Sequence, residues 1–255
     1  MSGAIQLSEE RGVRYLHFGS RWIQGAMRLA RPHALELEYT RQMLLPLALR
    51  GDAWPRSVLV VGLGAGSLVR FLWRFRPRAR IVVVEIREDV VRVAQQHFRL
   101  PDDARVEVEL GDGAAYVERA AEAFDLVLVD GYDARGRVGA LDTPRFYAHC
   151  RRRMAGGAML ATNLLSRYRG VDASLARLRD AFDGEAAALP PARSGNVVLL
   201  AAHGATLALD DPALAGRAQV LREATGLDLA ATLVQLGMAP RAARPQRRGT
   251  ARKGE

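Results

Sequence analysis

Apolar residues fall along this chain in two rhythms. Over the first thirty positions they alternate with polar ones: Val13-Arg-Tyr-Leu-His-Phe18, then Arg21-Trp-Ile-Gln24, then Ala26-Met-Arg-Leu29, with Gly19-Ser20 and Gly25 between them. A period of two predicts half-buried strands, and the glycines predict turns, so this part reads as a small antiparallel hairpin or meander. From His33 to Leu49 the apolar positions Leu35, Leu37, Met43, Leu44 and Leu47 predict a helix, and Gly51-Asp-Ala-Trp-Pro55 a connecting turn.

From Ser57 the rhythm changes. Val58-Leu-Val-Val61, Ile81-Val-Val-Val84 and Phe124-Asp-Leu-Val-Leu-Val129 are nearly unbroken apolar runs, as expected of strands covered on both faces. Val106-Glu-Val-Glu109 reads as a more exposed strand, and Ala158-Met-Leu-Ala161 and Val197–Ala201 as later ones. Helical patterns separate them over 68–75, 89–98, 114–121, 144–154 (with Pro144 in its first turn), 171–182, 212–224 and 227–236. Repeated strand–helix units with short loops predict an α/β fold, a doubly wound parallel sheet with helices on both faces. The expected division is a small N-terminal β domain over 1–32, the α/β domain over 33–238, and a basic, disordered tail over 239–255.

Composition narrows the class of protein. No stretch approaches the roughly 20 apolar residues that span a bilayer, and Met1–Gly19 does not read as a secretory signal. One cysteine, Cys150, excludes an intramolecular disulfide and a polythiolate metal site, and the five histidines lack ligand spacing. These features point to a cytoplasmic protein with no metal. The net charge of +9 would suit nucleic acid, but residues 241–255 alone contribute +5 of it, with no aromatic residues among the arginines. A solvated tail is the plainer reading, and nucleic acid is not an expected partner.

In a doubly wound sheet, ligands bind beyond the carboxyl ends of the strands, where the strand order reverses. Gly62-Leu-Gly-Ala-Gly-Ser67 follows the first apolar strand, where glycine permits a tight turn and close approach of a ligand. Glu85 ends the second strand and can accept both hydroxyls of a ribose. Gly111-Asp112-Gly113 follows the third, where Asp112 can accept from an exocyclic amine or cap the next helix. Asp130-Gly-Tyr-Asp133 follows the fourth, where two carboxylates can hold a cation or take a proton, or simply form a turn. Each signal is modest alone; their order describes an adenosine pocket. A nicotinamide dinucleotide fits less well, because the spacing is Gly-x-Gly-x-Gly with Ser67 next.

These segments, with Trp22-Ile-Gln24, Glu38-Tyr-Thr-Arg-Gln-Met43 and Gly195-Asn196-Val197, resemble the spermidine synthases, the polyamine aminopropyltransferases, over roughly residues 10–205. The resemblance implies a Rossmann-like fold of the S-adenosylmethionine-dependent methyltransferase type. It also implies transfer of an aminopropyl group from decarboxylated S-adenosylmethionine to an amine such as putrescine, and often a homodimer. Carried over by position, Gly62, Gly64, Gly66 and Gly113 would line the cofactor, Glu85 hold its ribose and Asp112 its adenine amine. Asp130 would be the catalytic carboxylate, and Asp133, Tyr39 and Gln42 would bind the amine. Gln24 would touch cofactor or substrate.

The family pattern is broken in three places. Ala65 stands where the glycine turn usually carries Asp, the gate reads Thr40-Arg-Gln-Met-Leu44, and the last loop reads Asp130-Gly-Tyr-Asp-Ala134 with both acids kept. The first two changes ease accommodation of a donor carboxylate. A methyltransferase using ordinary S-adenosylmethionine is therefore the alternative enzyme, and a non-catalytic member of the fold the alternative of another class.

Overall fold

The structure, a computed structural model, describes residues 3–19, 22–131, 139–165 and 170–238. Three antiparallel strands, β1 (Ile5–Glu10), β2 (Val13–Phe18) and β3 (Ile23–Arg28), form a small sheet in that order. Two short helices follow, α1 (Glu38–Met43) and α2 (Pro46–Leu49). The α/β part then runs β4 (Ser57–Val61), α3 (Ser67–Phe75), β5 (Arg80–Glu85), α4 (Glu88–His97), β6 (Val106–Leu110), α5 (Gly113–Arg119), β7 (Phe124–Val129) and a single 3-10 turn, Gly139–Asp142. It continues through α6 (Pro144–Arg152), β8 (Met154–Leu165), α7 (Val171–Ala181), β9 (Ala186–Ala188), β10 (Asn196–Ala202), α8 (Leu214–Thr225) and α9 (Ala230–Gln235).

Seven of these strands make one sheet in the order β6-β5-β4-β7-β8-β10-β9. The pairs from β6 to β8 are parallel, whereas β10 runs antiparallel to both β8 and β9. The alternation of side chains along β4, β5 and β7 splits the core in two. Val58, Val60, Ile81, Val83, Leu126 and Leu128 face the layer containing α1, α2, α3 and α8. Leu59, Val61, Val82, Val84, Val127 and Val129 face α5 and α6. Both sets are buried, which is why these strands read as unbroken apolar runs; each such side chain contributes about 1.5–3 kcal/mol on burial. The edge strand β6 keeps Glu107 and Glu109 toward solvent.

The small sheet rests on the glycine turn after β4. Leu16, Met27, Ala65 and Phe98 form a separate apolar cluster there, and Ser67 Oγ donates to the Ala26 carbonyl at 3.0 Å. A two-pronged Arg28–Glu36 ion pair ties β3 to the segment before α1. Among the described residues no helix is long and apolar enough to cross a membrane, and no group of three or more His, Cys, Asp or Glu could hold a metal ion.

The elements depart from the sequence expectation locally. β1, Ile-Gln-Leu-Ser-Glu-Glu, was not expected because its mostly exposed side chains carry no apolar signal. The two segments expected around Gly25 are one strand, β3. The helix expected over 33–49 is shorter and broken: α1 begins at Glu38, and Pro46, lacking an N–H, starts the separate turn α2. β8 begins earlier than expected, at Met154, and β9 is an all-alanine edge strand. The segments 1–2, 20–21, 132–138, 166–169 and 239–255 lie outside the described residues, and with them the expected basic tail.

Candidate active site

The strand order reverses at β4, which has β5 on one side and β7 on the other. The loops after β4, β5, β6 and β7 therefore meet at one edge of the sheet. Gly62 has φ +93°, and a Cβ there would overlap the carbonyl oxygen of Asp130, so only glycine lets these two loops touch. Gly66 has φ +67° and caps the N-terminus of α3. Gly64, with φ +51°, lies against the Gln24 backbone carbonyl from β3.

The turn is held from below by a residue that sequence reasoning missed. Arg70, on α3, is fully buried, and no carboxylate pairs with it among the described residues. Its guanidinium donates to the carbonyls of Pro32 (2.8 Å), Phe98 (2.7 Å) and Ala65. Burial pushes its pKa down to about 9, with Arg99 adding repulsion. The available signal was a cation in the otherwise apolar run Leu68-Val-Arg-Phe-Leu72.

Glu85 ends β5 and is almost fully buried. Its carboxylate accepts the backbone N–H of Leu63 in the glycine turn (2.8 Å) and of Arg87 (3.0 Å). Burial raises its pKa; the backbone donors oppose that rise. Asp112 is exposed and caps α5, with Oδ1 accepting from Ala115 N–H at 2.9 Å. That observed cap leaves room for a second role, since an ionised carboxylate has about four acceptor positions. Two large apolar side chains stand exposed beside these acids: Ile86 at 64% and Leu110 at 54%. Gly113 is required locally because a Cβ there would enter Val61 Cγ1.

Asp130 follows β7 and is held by side chains from two other elements. Tyr39 Oη, from α1, donates to Oδ2 at 3.2 Å, and Asn163 Nδ2, from β8, donates to Oδ1 at 2.8 Å. Asn196 Nδ2 in turn donates to Asn163 Oδ1 at 3.0 Å. Desolvation raises the Asp130 carboxyl to about 6, against the two donors, and the nearby charge of Glu85 adds to the rise. Asn163 was not anticipated; a single amide among Ala158-Met-Leu-Ala-Thr-Asn-Leu-Leu165 is the only trace it leaves in the sequence.

Tyr39, Gln24, Gly62, Gly64 and Asp130 line one narrow cleft between the small sheet, α1 and the glycine turn. Glu85 joins them through the Leu63 hydrogen bond. Gln42, expected beside the substrate, does not line this cleft. It is fully buried, and its amide nitrogen donates to the Pro190 carbonyl at 3.0 Å, the bond a buried amide needs. Asp133 lies outside the described residues.

Comparison with known proteins gives a consistent picture. Residues 37–165 match the family model described as the spermine/spermidine synthase domain. The polyamine aminopropyltransferase of Chromobacterium violaceum is 36% identical over 225 residues, covering 88% of this chain and 85% of that protein. Among solved structures, a probable spermidine synthase from Corynebacterium glutamicum superposes with TM-score 0.70 at 20% identity, over 94% of this chain and 93% of its own. A spermidine synthase in complex with the transition-state analogue AdoDATO gives 0.62 at 18%, over 88% and 89%. At these identities the two structures show the shared Rossmann-like fold.

Proposed function

Because the chain belongs to the spermine/spermidine synthase family, we propose that it transfers the aminopropyl group of decarboxylated S-adenosylmethionine to a small amine such as putrescine, with Asp130 as the catalytic carboxylate. The observation that carries this reading is the state of Asp130: a desolvated carboxyl near 6, facing the cleft and held by donors on both oxygens.

The residues suit the donor. A sulfonium nucleoside is cationic, and Glu85 and Asp130 supply negative charge on either side of the glycine turn. Glu85, already oriented by two N–H groups, accepts from the ribose. Asp112 accepts from the adenine amine, and Ile86 and Leu110 cover the base's faces. Gly62, Gly64 and Gly66 let the turn pack against the Asp130 loop, the Gln24 carbonyl and α3, which shapes the floor of the donor cleft, and Gln24 closes that cleft from the small sheet.

The acceptor amine is protonated in water and cannot attack in that form. Asp130 binds the ammonium, orients it and accepts its proton. The freed nitrogen then forms a bond to the donor carbon as the carbon–sulfur bond breaks, leaving methylthioadenosine. A base with a pKa just below neutrality is ionised at pH 7 yet still holds a proton usefully. Tyr39 keeps that carboxylate turned to the amine, and Asp133 is the proposed second anchor for a diamine.

Ala65 stands where the family pattern carries an acid, and its methyl packs in the apolar cluster under the small sheet. Discrimination against ordinary S-adenosylmethionine therefore rests on fewer acids than in the family pattern. The test is purified protein with decarboxylated S-adenosylmethionine and putrescine, followed by release of methylthioadenosine. A parallel arm uses the ordinary donor, where a methylated amine would support methyl transfer instead. No nucleoside product with either donor, across a range of amines, would defeat the proposal. A cytoplasmic location and a homodimer belong to the same proposal; exposed Trp22 and Ile23 on the small sheet supply apolar surface for the latter.

A further inference from the structure

We propose that Asn163 and Asn196 are positioning residues for the reaction: a one-way line of hydrogen-bond donors, begun by Ser194, crosses three strands and ends on one oxygen of Asp130. This inference rests on the proposed role of Asp130 and adds what sets that carboxylate's orientation and charge.

The line is built by the topology of the sheet. Val129 of β7 stands opposite Thr162 of β8, so Asp130 comes next to Asn163. On the other side, Asn196 pairs with Leu165 and Val198 with Asn163, so Asn196 and Asn163 lie diagonally on one face. Parallel strands bring their last residues to the ligand-binding edge. The reversed strand β10 brings its first, which is how Gly195-Asn196, far along the chain, reaches the site.

Its polarity follows from counting donors. An amide side chain can turn over and exchange its oxygen for its nitrogen, and nothing in its shape prevents this. The ionised Asp130 carboxylate can only accept, which commits the Asn163 nitrogen to its Oδ1 at 2.8 Å. Asn163 Oδ1 then accepts from the Asn196 nitrogen at 3.0 Å, and Asn196 Oδ1 from Ser194 Oγ at 2.6 Å. A turned-over Asn163 would set a carbonyl oxygen against the carboxylate. Both amides are buried, where setting like groups against each other is costly. Among the described residues, Tyr39 donates to Oδ2 and Asn163 to Oδ1, so each carboxylate oxygen has a fixed donor from the protein.

A purely structural amide pair would affect folding but not the titration of Asp130. The donors favour the ionised form, so removing or reversing them raises the pKa and moves the acidic limb of activity upward. Asn196→Leu keeps the size, adds no charge and cannot donate, so Asn163 Oδ1 loses the bond that holds its amide the right way round. Asn163→Leu removes the last donor, and Ser194→Ala, at an exposed position, removes only the first.

The expected result is an acidic limb of kcat shifted upward by about one pH unit in Asn163→Leu, by about half a unit in Asn196→Leu, and by a few tenths in Ser194→Ala. At pH 6 kcat should fall about fivefold for Asn163→Leu and about twofold for Asn196→Leu, with the donor KM within about twofold of wild type. The carbon-13 resonance of the Asp130 carboxyl, assigned with Asp130→Asn, should titrate with the same shifts. Should Asn163→Leu fail to fold, the other two variants carry the test. Folded variants whose pH profile and carboxyl titration match wild type would overturn the proposal. If the wild-type protein releases no methylthioadenosine, the functional reading fails by itself, and the carbon-13 titration still decides the relay.

Discussion

Tyr39 and Asp130 lie 91 positions apart in sequence, and the phenol of one donates to Oδ2 of the other at 3.2 Å. The contact joins α1, ahead of the α/β repeat, to the loop after β7, and so closes the cleft over the strand ends. Tyr39→Phe removes a donor that favours the ionised carboxylate. The Asp130 pKa, at about 6, should then rise. Because the base works above its pKa, activity is lost as pH falls through that value, and the acidic limb of kcat should move upward by roughly half a pH unit. Steady-state rates between pH 5.5 and 8.5 check this, with near wild-type kcat at the alkaline end.

Glu85 acts on the same carboxyl in the opposite sense. Its charge contributes to the raised pKa of Asp130. Glu85→Gln should therefore lower the acidic limb slightly while weakening the donor at least tenfold through the lost charge-assisted contact to ribose, a loss of more than about 1.4 kcal/mol. Calorimetric titration of the donor and the pH–rate profile together separate these two effects, since they run in different directions.

Gly62→Ala should damage the site without touching any acid. The position has φ +93°, and an added Cβ would overlap the Asp130 carbonyl, so either the glycine turn or the Asp130 loop must shift. Strain of about 1–3 kcal/mol is expected in the unfolding free energy, with donor affinity reduced more than amine affinity. Chemical denaturation and binding titrations are the checks.

Much of this arrangement can be read from sequence, and the exceptions share a cause. β4, β5 and β7 announce themselves because burial on both faces demands continuous apolar runs, and Glu85 and Asp130 are the first polar residues after two such runs. The turn glycines are legible for the same local reason. Arg70 and Asn163 are not, because each is a polar residue inside an apolar pattern whose partners lie on other elements: Arg70 with Pro32 and Phe98, Asn163 with Asp130 and Asn196. Local periodicity carries no information about such cross-strand satisfaction. Gln42 shows the converse, since a polar residue in a gate-like segment spends its amide on Pro190 instead of the cleft.

Arg70→Met tests the buried cation. It would leave the carbonyls of Pro32, Ala65 and Phe98 without their donor beneath the glycine turn. The unsatisfied acceptors should cost about 2–4 kcal/mol of stability, partly offset by the relieved burial of a charge. A lowered urea midpoint with unchanged slope is the expected signature, and the Asp130 pH profile should stay where it is.

The most direct measurement compares wild type with Asp130→Asn in the release of methylthioadenosine from decarboxylated S-adenosylmethionine and putrescine at pH 7.5, alongside calorimetric binding of the donor alone. The account predicts turnover by wild type, a loss of kcat of about 10²–10⁴-fold in the variant, and donor affinity changed by no more than a few fold. Wild-type turnover that survives the substitution undiminished would contradict the assignment of Asp130 as the group that takes the proton.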